Sequence, residues 1–156
     1  MKLLVFSDSH GNLENMVRTV ERERPHMILH LGDGWRDARQ LRDRFPEIPL
    51  YQVPGNCDFR SAEPPEQLLT VQGKRIFLCH GHTYGVKTSL LQAGFAAEER
   101  ELDLFLFGHT HKPLVDKRGK TLFLNPGSIG DFRPSYGIVT LADGMLDGKT
   151  AWFRAV

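Results

Sequence analysis

The first twelve residues carry residue types that can bind a metal ion. Residues 2–6 form a short apolar run that predicts a buried strand, and Asp8 and His10 follow it closely. Side chains at positions i and i+2 of an extended segment project to the same side. One carboxylate and one imidazole should therefore converge just past the strand, where open α/β sheets bind ligands. Such a pair makes half of a metal site.

Four more predicted strands end in residues of the same chemical kind. The residues at these exits are Asp33, Asn56, His80, His109 and His111. Each one alone has an ordinary explanation as a turn former, a helix cap or a surface residue. Their shared position at strand exits argues against coincidence. With Asp8 and His10 they make seven ligands, which suits two ions sharing a bridge, and the mixture of oxygen and imidazole ligands favours Mn, Fe, Zn, Co or Ni over calcium.

The first half of the chain alternates between strand and helix patterns. The predicted elements are strand 2–6, helix 13–24 with Asn12 as its cap, strand 26–31, helix 35–45 and strand 48–53. Close charges in the second helix indicate a solvated face. This order predicts a βαβαβ unit with right-handed crossovers.

The second half reads mainly as hairpins. The predicted elements are a surface loop at 59–67, strands 68–71 and 75–79, helix 89–102, strand 104–107, strands 114–116 and 121–124, and antiparallel strands 136–141 and 150–153. The sequence shows no repeat and no linker, which predicts one domain over 1–156.

The composition is typical of a soluble globular protein. Of 156 residues, 40% are hydrophobic and 25% charged, and the net charge of +1 gives no strong attraction to nucleic acid or to membranes. No signal segment or apolar stretch near 18 residues is present, so we expect a cytoplasmic protein without membrane contact. Homo-oligomerisation stays open.

The order of the ligand motifs along the chain is a pattern in its own right. In sequence they are Asp8-x-His10, Gly32-Asp33, Gly55-Asn56, His80 and Gly108-His109-x-His111. This series resembles the calcineurin-like metallophosphoesterases over nearly the whole chain. The small prokaryotic phosphodiesterase branch is the closer match, and its marks here are residues 55–58, 80–82 and 125–128.

The resemblance implies both a fold and a metal centre. The fold is a four-layer α/β/β/α sandwich, in which two mixed sheets are flanked by helices. One ion would be held by Asp8, His10, Asp33 and His111. The other would be held by Asp33, Asn56, His80 and His109, so that Asp33 bridges the two ions.

The implied activity is metal-dependent hydrolysis of phosphate esters by a metal-bridging hydroxide at this dinuclear centre. The expected catalytic residues are Asp33, Asn56 and His82. Mn²⁺ is the first expectation for the ions, with Ni²⁺, Fe, Zn²⁺ or Co²⁺ as alternatives. The expected substrate is a small phosphate ester or a nucleotide-like diester, without a stable nucleic-acid complex.

Cys57 departs from the pattern of many larger members of the family, which have histidine at this place. That histidine is thought to protonate the leaving group, and a thiol is a weak substitute. Cys57 therefore favours diesters over ordinary monoesters. A small buried apolar residue is the other interpretation of Cys57. His82 could be a general acid, contact phosphate, or orient His80.

Several other residues carry weaker predictions. Arg133 reads as a surface arginine, with contact to substrate phosphate as the alternative. Asn125 should shape the loop behind His109. Phe59 and Arg60 are expected to line the entrance of the site.

Three remaining residues are assigned outside the site. His26 and His30 lie within a predicted strand, upstream of its exit, and are excluded as ligands. Cys79 is predicted to lie in the core.

A non-catalytic scaffold of the same fold is the alternative to an enzyme, because the retromer scaffold subunit also resembles this family. Loss of catalysis would be expected to remove ligands, yet all seven positions carry competent residues, which favours the enzyme. A phosphomonoesterase is the second alternative. A nucleic-acid-binding module would need a basic stripe with interleaved aromatic residues, and the sequence has none.

Overall fold

The computed structural model describes residues 1–58 and 63–155. Phe59 and Arg60 lie outside these described residues. The helices are α1 (Leu13–Glu23), α2 (Trp35–Arg44) and α3 (Leu91–Glu99), with a short 3₁₀ helix at His82–Tyr84. The strands are β1 (Lys2–Phe6), β2 (Met27–His30), β3 (Leu50–Gln52), β4 (Glu66–Val71), β5 (Lys74–Cys79), β6 (Leu104–Leu106), β7 (Leu114–Arg118), β8 (Thr121–Asn125), β9 (Ser135–Ala142) and β10 (Met145–Trp152).

These strands form two mixed five-stranded sheets. In the first sheet the order is β10-β9-β1-β2-β3, with β1, β2 and β3 parallel. In the second the order is β4-β5-β6-β8-β7, with β5, β6 and β8 parallel. Because parallel strands end at the same edge of a sheet, the loops after them lie side by side.

Strand β1 shows why its sequence is apolar at every position. Leu3 and Val5 pack between the two sheets. Leu4 and Phe6 point the other way, into a cluster with residues of α1 and α2. A strand covered on both faces has no polar side, so it reads as a continuous apolar run rather than as an alternation.

The second sheet repeats this arrangement on the other side of the molecule. Ile76 and Leu78 of β5 face the first sheet, whereas Phe77 and Cys79 lie under α3. The layers are therefore helices, sheet, sheet and helix, which confirms the predicted four-layer α/β/β/α fold. Cys79 lies in the core, as predicted.

The main differences from the predicted elements lie in the second half. Strand β10 begins at Met145 rather than at residue 150, because Asp143 and Gly144 form a tight turn with φ of 53° and 73°. Helix α3 begins at Leu91, two residues later than predicted. Strand β4 begins at Glu66, inside the predicted loop. None of the described helices has both the length and the apolarity needed to span a bilayer.

Candidate metal centre

Asp8 lies at the middle of a cluster of histidine side chains. Its Oδ1 atom is 3.1 Å from His111 Nε2, 3.5 Å from His10 Nε2 and 3.8 Å from His80 Nε2. The Asp8 side chain is fully buried. Loops after β1, β5 and β6 thus bring their imidazoles to one carboxylate oxygen.

Asp33, from the loop after β2, adds a second buried carboxylate to the same cluster. Its Oδ2 atom is 3.4 Å from His80 Nε2 and 3.9 Å from His10 Nε2. The cluster contains two candidate ligand triads, Asp8 with His10 and His111, and Asp8 with Asp33 and His80. Asp8 is therefore common to both triads. The prediction that Asp33 bridges two ions stays a prediction.

One oxygen of each carboxylate accepts hydrogen bonds that hold the side chain in place, and the other oxygen faces the histidines. Asp8 Oδ2 accepts hydrogen bonds from Ser7 Oγ at 2.5 Å and from the His109 backbone N–H at 3.2 Å. Asp33 Oδ1 accepts from the Cys57 backbone N–H at 2.8 Å. These bonds fix both carboxylates in orientation, so the second oxygen of each is available to a ligand.

His80 supplies the strongest indication that a cation belongs here. Its Nδ1 is 2.8 Å from the Leu31 carbonyl oxygen, which can only accept, so Nδ1 carries a proton. Its Nε2 is buried and, among the described residues, has no hydrogen-bond partner. In a neutral His80, that nitrogen's lone pair would face oxygens of Asp8 and Asp33. Two carboxylates and an imidazole nitrogen, oriented from behind, are donors that suit a divalent transition-metal ion, so the residues fit one.

The charges in the cluster are strongly coupled even without an ion. Burial acts to raise the pKa of Asp33, but His80 and the Cys57 backbone N–H outweigh it and hold that pKa well below its usual range. Burial likewise acts to lower the pKa of His80, but Asp33 and Asp8 outweigh it and raise that pKa. A bound cation would replace the ion pair that Asp33 and His80 otherwise make with each other.

His109 and His82 line the same side of the cluster as His80. The ring centroid of His109 is 5.0 Å from that of His80, and the ring centroid of His82 is 5.5 Å from it. Burial, with the charges of His80 and Lys87, lowers the pKa of His109. Burial and the charge of His80 lower the pKa of His82. One predicted role of His82 is to orient His80. Because the Leu31 carbonyl already orients His80, the structure does not favour this role.

Within the described residues, Asn56 is the predicted ligand whose side chain makes no hydrogen bond, ion pair or ring contact with the cluster. It is exposed, and its Nδ2 is 3.7 Å from Cys57 Sγ. Its neighbour Cys57 nevertheless donates to Asp33, so Asn56 lies on a loop joined to the cluster. Its role as a ligand and in catalysis stays a prediction.

Backbone conformation marks the same residues independently. Five of the seven predicted ligands have positive φ, and they are Asp8, His10, Asp33, His109 and His111. This left-handed conformation costs non-glycine residues about 1 kcal/mol or more, and such strain concentrates at functional sites. These φ values also show that the predicted geometry of Asp8 and His10 is wrong in one respect. Asp8 and His10 converge through a strained turn, not through the alternation of an extended segment.

Asp58 joins the two loops that carry Asp33 and Asn56. Its Oδ2 accepts from the Asp33 and Gly55 N–H groups at 2.6 and 2.8 Å. Its Oδ1 accepts from the Gly34 and Trp35 N–H groups, both at 3.1 Å, at the start of α2. The sequence analysis gave Asp58 no role. Its signal was its place beside the predicted ligands, next to a helix N-terminus that favours a carboxylate.

Gly55 is required at its position for a steric reason. A Cβ atom there would overlap Asp33 Oδ1, the oxygen that the Cys57 N–H holds. The glycine therefore lets the loop after β3 close onto the Asp33 carboxylate.

A buried polar chain supports the loop after β1. Gly32 N–H donates to His30 Nδ1 at 3.2 Å, so His30 Nε2 carries the proton and donates to Ser9 Oγ at 3.0 Å. Ser9 Oγ donates in turn to Asp37 at 2.7 Å, and Asp37 also accepts from the Gly11 N–H. Asp37 is buried, so the prediction of a solvated face is wrong at this position of α2. Both ring nitrogens of His30 thus have hydrogen-bond partners, and its exclusion as a ligand stays a prediction.

Three remaining predictions concern residues around the cluster. Cys57 is exposed, so its interpretation as a buried apolar residue is wrong. Asn125 Nδ2 donates to the Gly108 carbonyl at 3.1 Å and to Thr110 Oγ1 at 2.9 Å, which confirms that it shapes the loop of His109. Arg133 stacks on Trp152, 4.7 Å from the ring centroid, which supports its interpretation as a surface residue.

His111 has a carboxylate partner that the sequence analysis missed. Its Nδ1 is 3.4 Å from Asp131 Oδ2, while its Nε2 faces Asp8. A carboxylate on the far nitrogen is a common way to orient a metal-binding imidazole.

Replacing Asp58 should weaken metal binding without touching a proposed ligand. In Asp58→Asn the new NH₂ group would face backbone N–H donors, which would release the loop of Asp33. We expect a fall in Mn²⁺ affinity of about 10- to 100-fold, measured by calorimetric titration. Asp103→Asn is the matched control, because Asp103 accepts one backbone N–H from Arg75 away from the cluster. Equal affinities in both variants would contradict the role of Asp58.

His30 should make metal-free protein sensitive to mild acid. Burial lowers the pKa of His30 from 6.5 to about 4, although nearby aspartates oppose the shift. Unfolding therefore takes up a proton below pH 6.5, and stability falls as pH drops from 6.5 towards 4. Relative to His30→Gln, the wild type should lose roughly 2–3 kcal/mol between pH 7 and about 4.5, measured by urea unfolding with chelator. Exposed His26→Gln is the control, and a pH response in His30→Gln equal to that of wild type would refute the argument.

Comparison with known proteins identifies the family. A model described as the calcineurin-like phosphoesterase superfamily domain matches residues 1–144. The probable metallophosphoesterase YsnB of Bacillus subtilis (strain 168) is 37% identical over 149 residues, covering 90% of this chain and 85% of the relative. The phosphodiesterase YfcE of Escherichia coli (strain K12) is 30% identical over 168 aligned residues, covering 89% and 87%.

Solved structures agree with this assignment. A conserved uncharacterized protein from Streptococcus pneumoniae TIGR4, described as a predicted phosphoesterase, superposes with a TM-score of 0.81 at 26% identity, over 97% of this chain and 88% of the other. Vps29 from Entamoeba histolytica, in complex with zinc, has a TM-score of 0.76 at 19% identity, over 99% and 100%. The Vps29 likeness shows the fold alone. The matches to the family model and to the relatives show that the chain belongs to the calcineurin-like phosphoesterase superfamily.

Proposed function

We propose that this protein is a metal-dependent phosphodiesterase with two divalent ions held by the seven predicted ligands. The observation that carries the proposal is the buried Nε2 of His80, which makes no hydrogen bond within the described residues and faces oxygens of Asp8 and Asp33. Burying two carboxylates side by side is costly unless a positive charge joins them, and beside His80 that charge is either a proton on the imidazole or a bound cation. The ligand set suits transition metals, and Mn²⁺ is our first expectation.

Different residues of this chain would have different roles at such a site. When bound, divalent ions would supply Lewis-acid neutralisation of phosphoryl charge and acidify water. The anchored carboxylates Asp8 and Asp33 hold their free oxygens towards the cluster. His10 and His111, which are partly exposed, form the open side through which a phosphate ester can enter. We expect His82, which is exposed beside His80, to donate a proton to a leaving group.

The preference for diesters rests on Cys57. Partial desolvation of the exposed Cys57 thiol and the charge of Asp33 raise the pKa of that thiol, so it is neutral near pH 7 and a poor proton donor. An alkyl monoester depends strongly on protonation of its leaving group, whereas a diester depends more on activation of the nucleophile. The name of the relative YfcE, a phosphodiesterase, supports the same choice.

A non-catalytic scaffold remains the competing function, because the fold is shared with Vps29. The arrangement at His80 favours the enzyme, since a scaffold has no need of two oriented carboxylate oxygens facing one buried imidazole nitrogen. Turnover of bis-p-nitrophenyl phosphate that chelator abolishes and Mn²⁺ restores would exclude the scaffold. Full Mn²⁺ loading without any ester hydrolysis would favour it.

Removing the charge of Asp33 should empty the centre. We expect about two Mn²⁺ per wild-type chain after reconstitution, measured by elemental analysis. Asp33→Asn should lose metal and reduce diesterase activity more than about 100-fold, since even residues behind a ligand typically contribute about 10- to 100-fold. The matched control is Asp143→Asn, because Asp143 is also an aspartate at positive φ but lies in an exposed hairpin turn.

Two results would count against this model. Wild-type protein that stays at or below about one Mn²⁺ per chain in excess metal would contradict the dinuclear centre. Asp33→Asn protein with the metal content and activity of Asp143→Asn would contradict the role of Asp33.

Cys57→His should shift the substrate preference towards monoesters. An imidazole at this position can protonate a poor leaving group, and general acid catalysis is typically worth about 10²–10⁴-fold. We expect the ratio of alkyl monoester to diester kcat/KM to rise about tenfold or more. Cys57→Ser, which is similar in size and does not titrate near neutral pH, is the control.

The role of Cys57 would be refuted if the wild type already preferred alkyl monoesters and Cys57→His left that preference unchanged. That result would not count against the proposed metal centre. His82→Ala tests the other donor, since a loss confined to substrates with poor leaving groups would place the acid at His82.

A further inference from the structure

A groove of about 600 Å³ lies beside the candidate metal centre and is not needed to hold metal. It runs between the segment after the 3₁₀ helix and the loop after β6. Its lining residues include Val86, Lys87, Phe107, Thr110, Lys112 and Asn125. We call this cavity the lysine groove.

The lysine groove shares a wall with the metal cluster. Thr110 lies between the predicted ligands His109 and His111 in the chain, and it lines the groove. Lys87, from the segment after the 3₁₀ helix, lines the groove together with Thr110. The groove is therefore built partly from the loop that carries two of the predicted ligands.

The charge of the groove is one-sided. Lys87 and Lys112 are exposed and line it, and no carboxylate is among its lining residues in the described part of the chain. The whole chain carries a net charge of only +1, so this local excess of two positive charges is a property of the groove. Ammonium groups at the edge of a concave, partly apolar surface attract anions.

Thr110 adds a directed polar group to the same wall. Its Oγ1 accepts hydrogen bonds from Asn125 Nδ2 at 2.9 Å and from the Lys112 backbone N–H at 3.1 Å. With two acceptor positions filled, the hydroxyl proton is the part left to interact with a ligand. Asn125 is fully buried, so the hydroxyl is held by a rigid neighbour.

The floor of the groove is apolar. It includes Val86, Leu90 and Phe107, which are buried parts of the core under α3. A concave apolar floor with a few polar groups at its edge is the usual build of a small-molecule site. It can cover the organic part of a ligand while the lysines contact its charge.

We propose that the lysine groove binds a second phosphate group of the substrate, so that the preferred substrates are nucleotide-like diesters carrying a further phosphate. This inference rests on the proposed phosphodiesterase function and narrows it to a substrate class. The scissile phosphate lies at the metal cluster, the organic part covers the apolar floor, and Lys87, Lys112 and Thr110 bind the second phosphate.

The kinetic test compares two substrates that differ only in the second phosphate. One is the p-nitrophenyl ester of thymidine 5′-phosphate, and the other is the same diester with an added 3′-phosphate. The wild type should prefer the second, mainly through a lower KM. Lys87→Gln and Lys112→Gln should each reduce this preference in kcat/KM about two- to fivefold, as expected for a partly exposed ion pair, and the double variant should reduce it further. Rising salt should reduce it as well.

The control is Lys120→Gln, because Lys120 is an exposed lysine in the turn between β7 and β8 and does not line the groove. This variant should keep the wild-type preference. A wild-type enzyme that hydrolyses both diesters equally well would overturn the proposal, as would a preference that survives in the double variant.

A binding measurement separates failure of the groove from failure of the proposed function. Metal-free protein labelled with ¹⁵N is titrated with thymidine 3′,5′-bisphosphate and, in parallel, with thymidine. The bisphosphate should shift the amide signals of Lys87, Thr110 and Lys112, and the double lysine variant should lose these shifts. Shifts without any diesterase activity would refute the enzyme but keep the anion site. Activity without these shifts would keep the enzyme and refute the groove.

Discussion

Two buried carboxylates that face the same group of imidazoles are the constraint on which the rest of this structure depends. Asp8 and Asp33 would repel each other in a dry environment, so their positions must be held by other bonds. Each carboxylate gives one oxygen to hydrogen-bond donors and turns the other towards the histidines. The Leu31 carbonyl orients His80 so that its Nε2 faces both carboxylates, and this nitrogen makes no hydrogen bond within the part of the chain that the structure describes. The site is a preformed place for positive charge.

The loops around this site are arranged to keep that geometry at some cost in local stability. Five predicted ligands adopt positive φ, a conformation that is costly for residues other than glycine. Asp58 offsets part of the cost by joining the loop of Asp33 to that of Gly55 through four backbone N–H groups. The chain from His30 through Ser9 to Asp37 does the same for the loop after β1. Rigid sheets beneath both loops make this strain sustainable.

The sandwich also explains why the lysine groove can lie beside the candidate metal centre. Both sheets end their parallel strands at the same end of the molecule, so the loops of β1 and β2 meet those of β5 and β6. The loop after β6 then has two faces. One face presents His109 and His111 to the cluster, and the other presents Thr110 and Lys112 to the groove. Chemistry and substrate selection can therefore be built on the same few residues.

The sequence by itself determined the α/β class, most of the strands and helices, and the positions where candidate ligands leave the strands. These features depend on local periodicity and on side-chain chemistry, and both can be determined from a short stretch of sequence. The tertiary structure alone decided which carboxylate oxygen is free, that Asp37 is buried, that Asp58 is a common acceptor, and that two lysines line one groove. Those outcomes depend on contacts between distant residues, such as the bond from the His109 N–H to Asp8 across 101 positions. A local sequence pattern does not predict such contacts, because they are set by how the two sheets pack together.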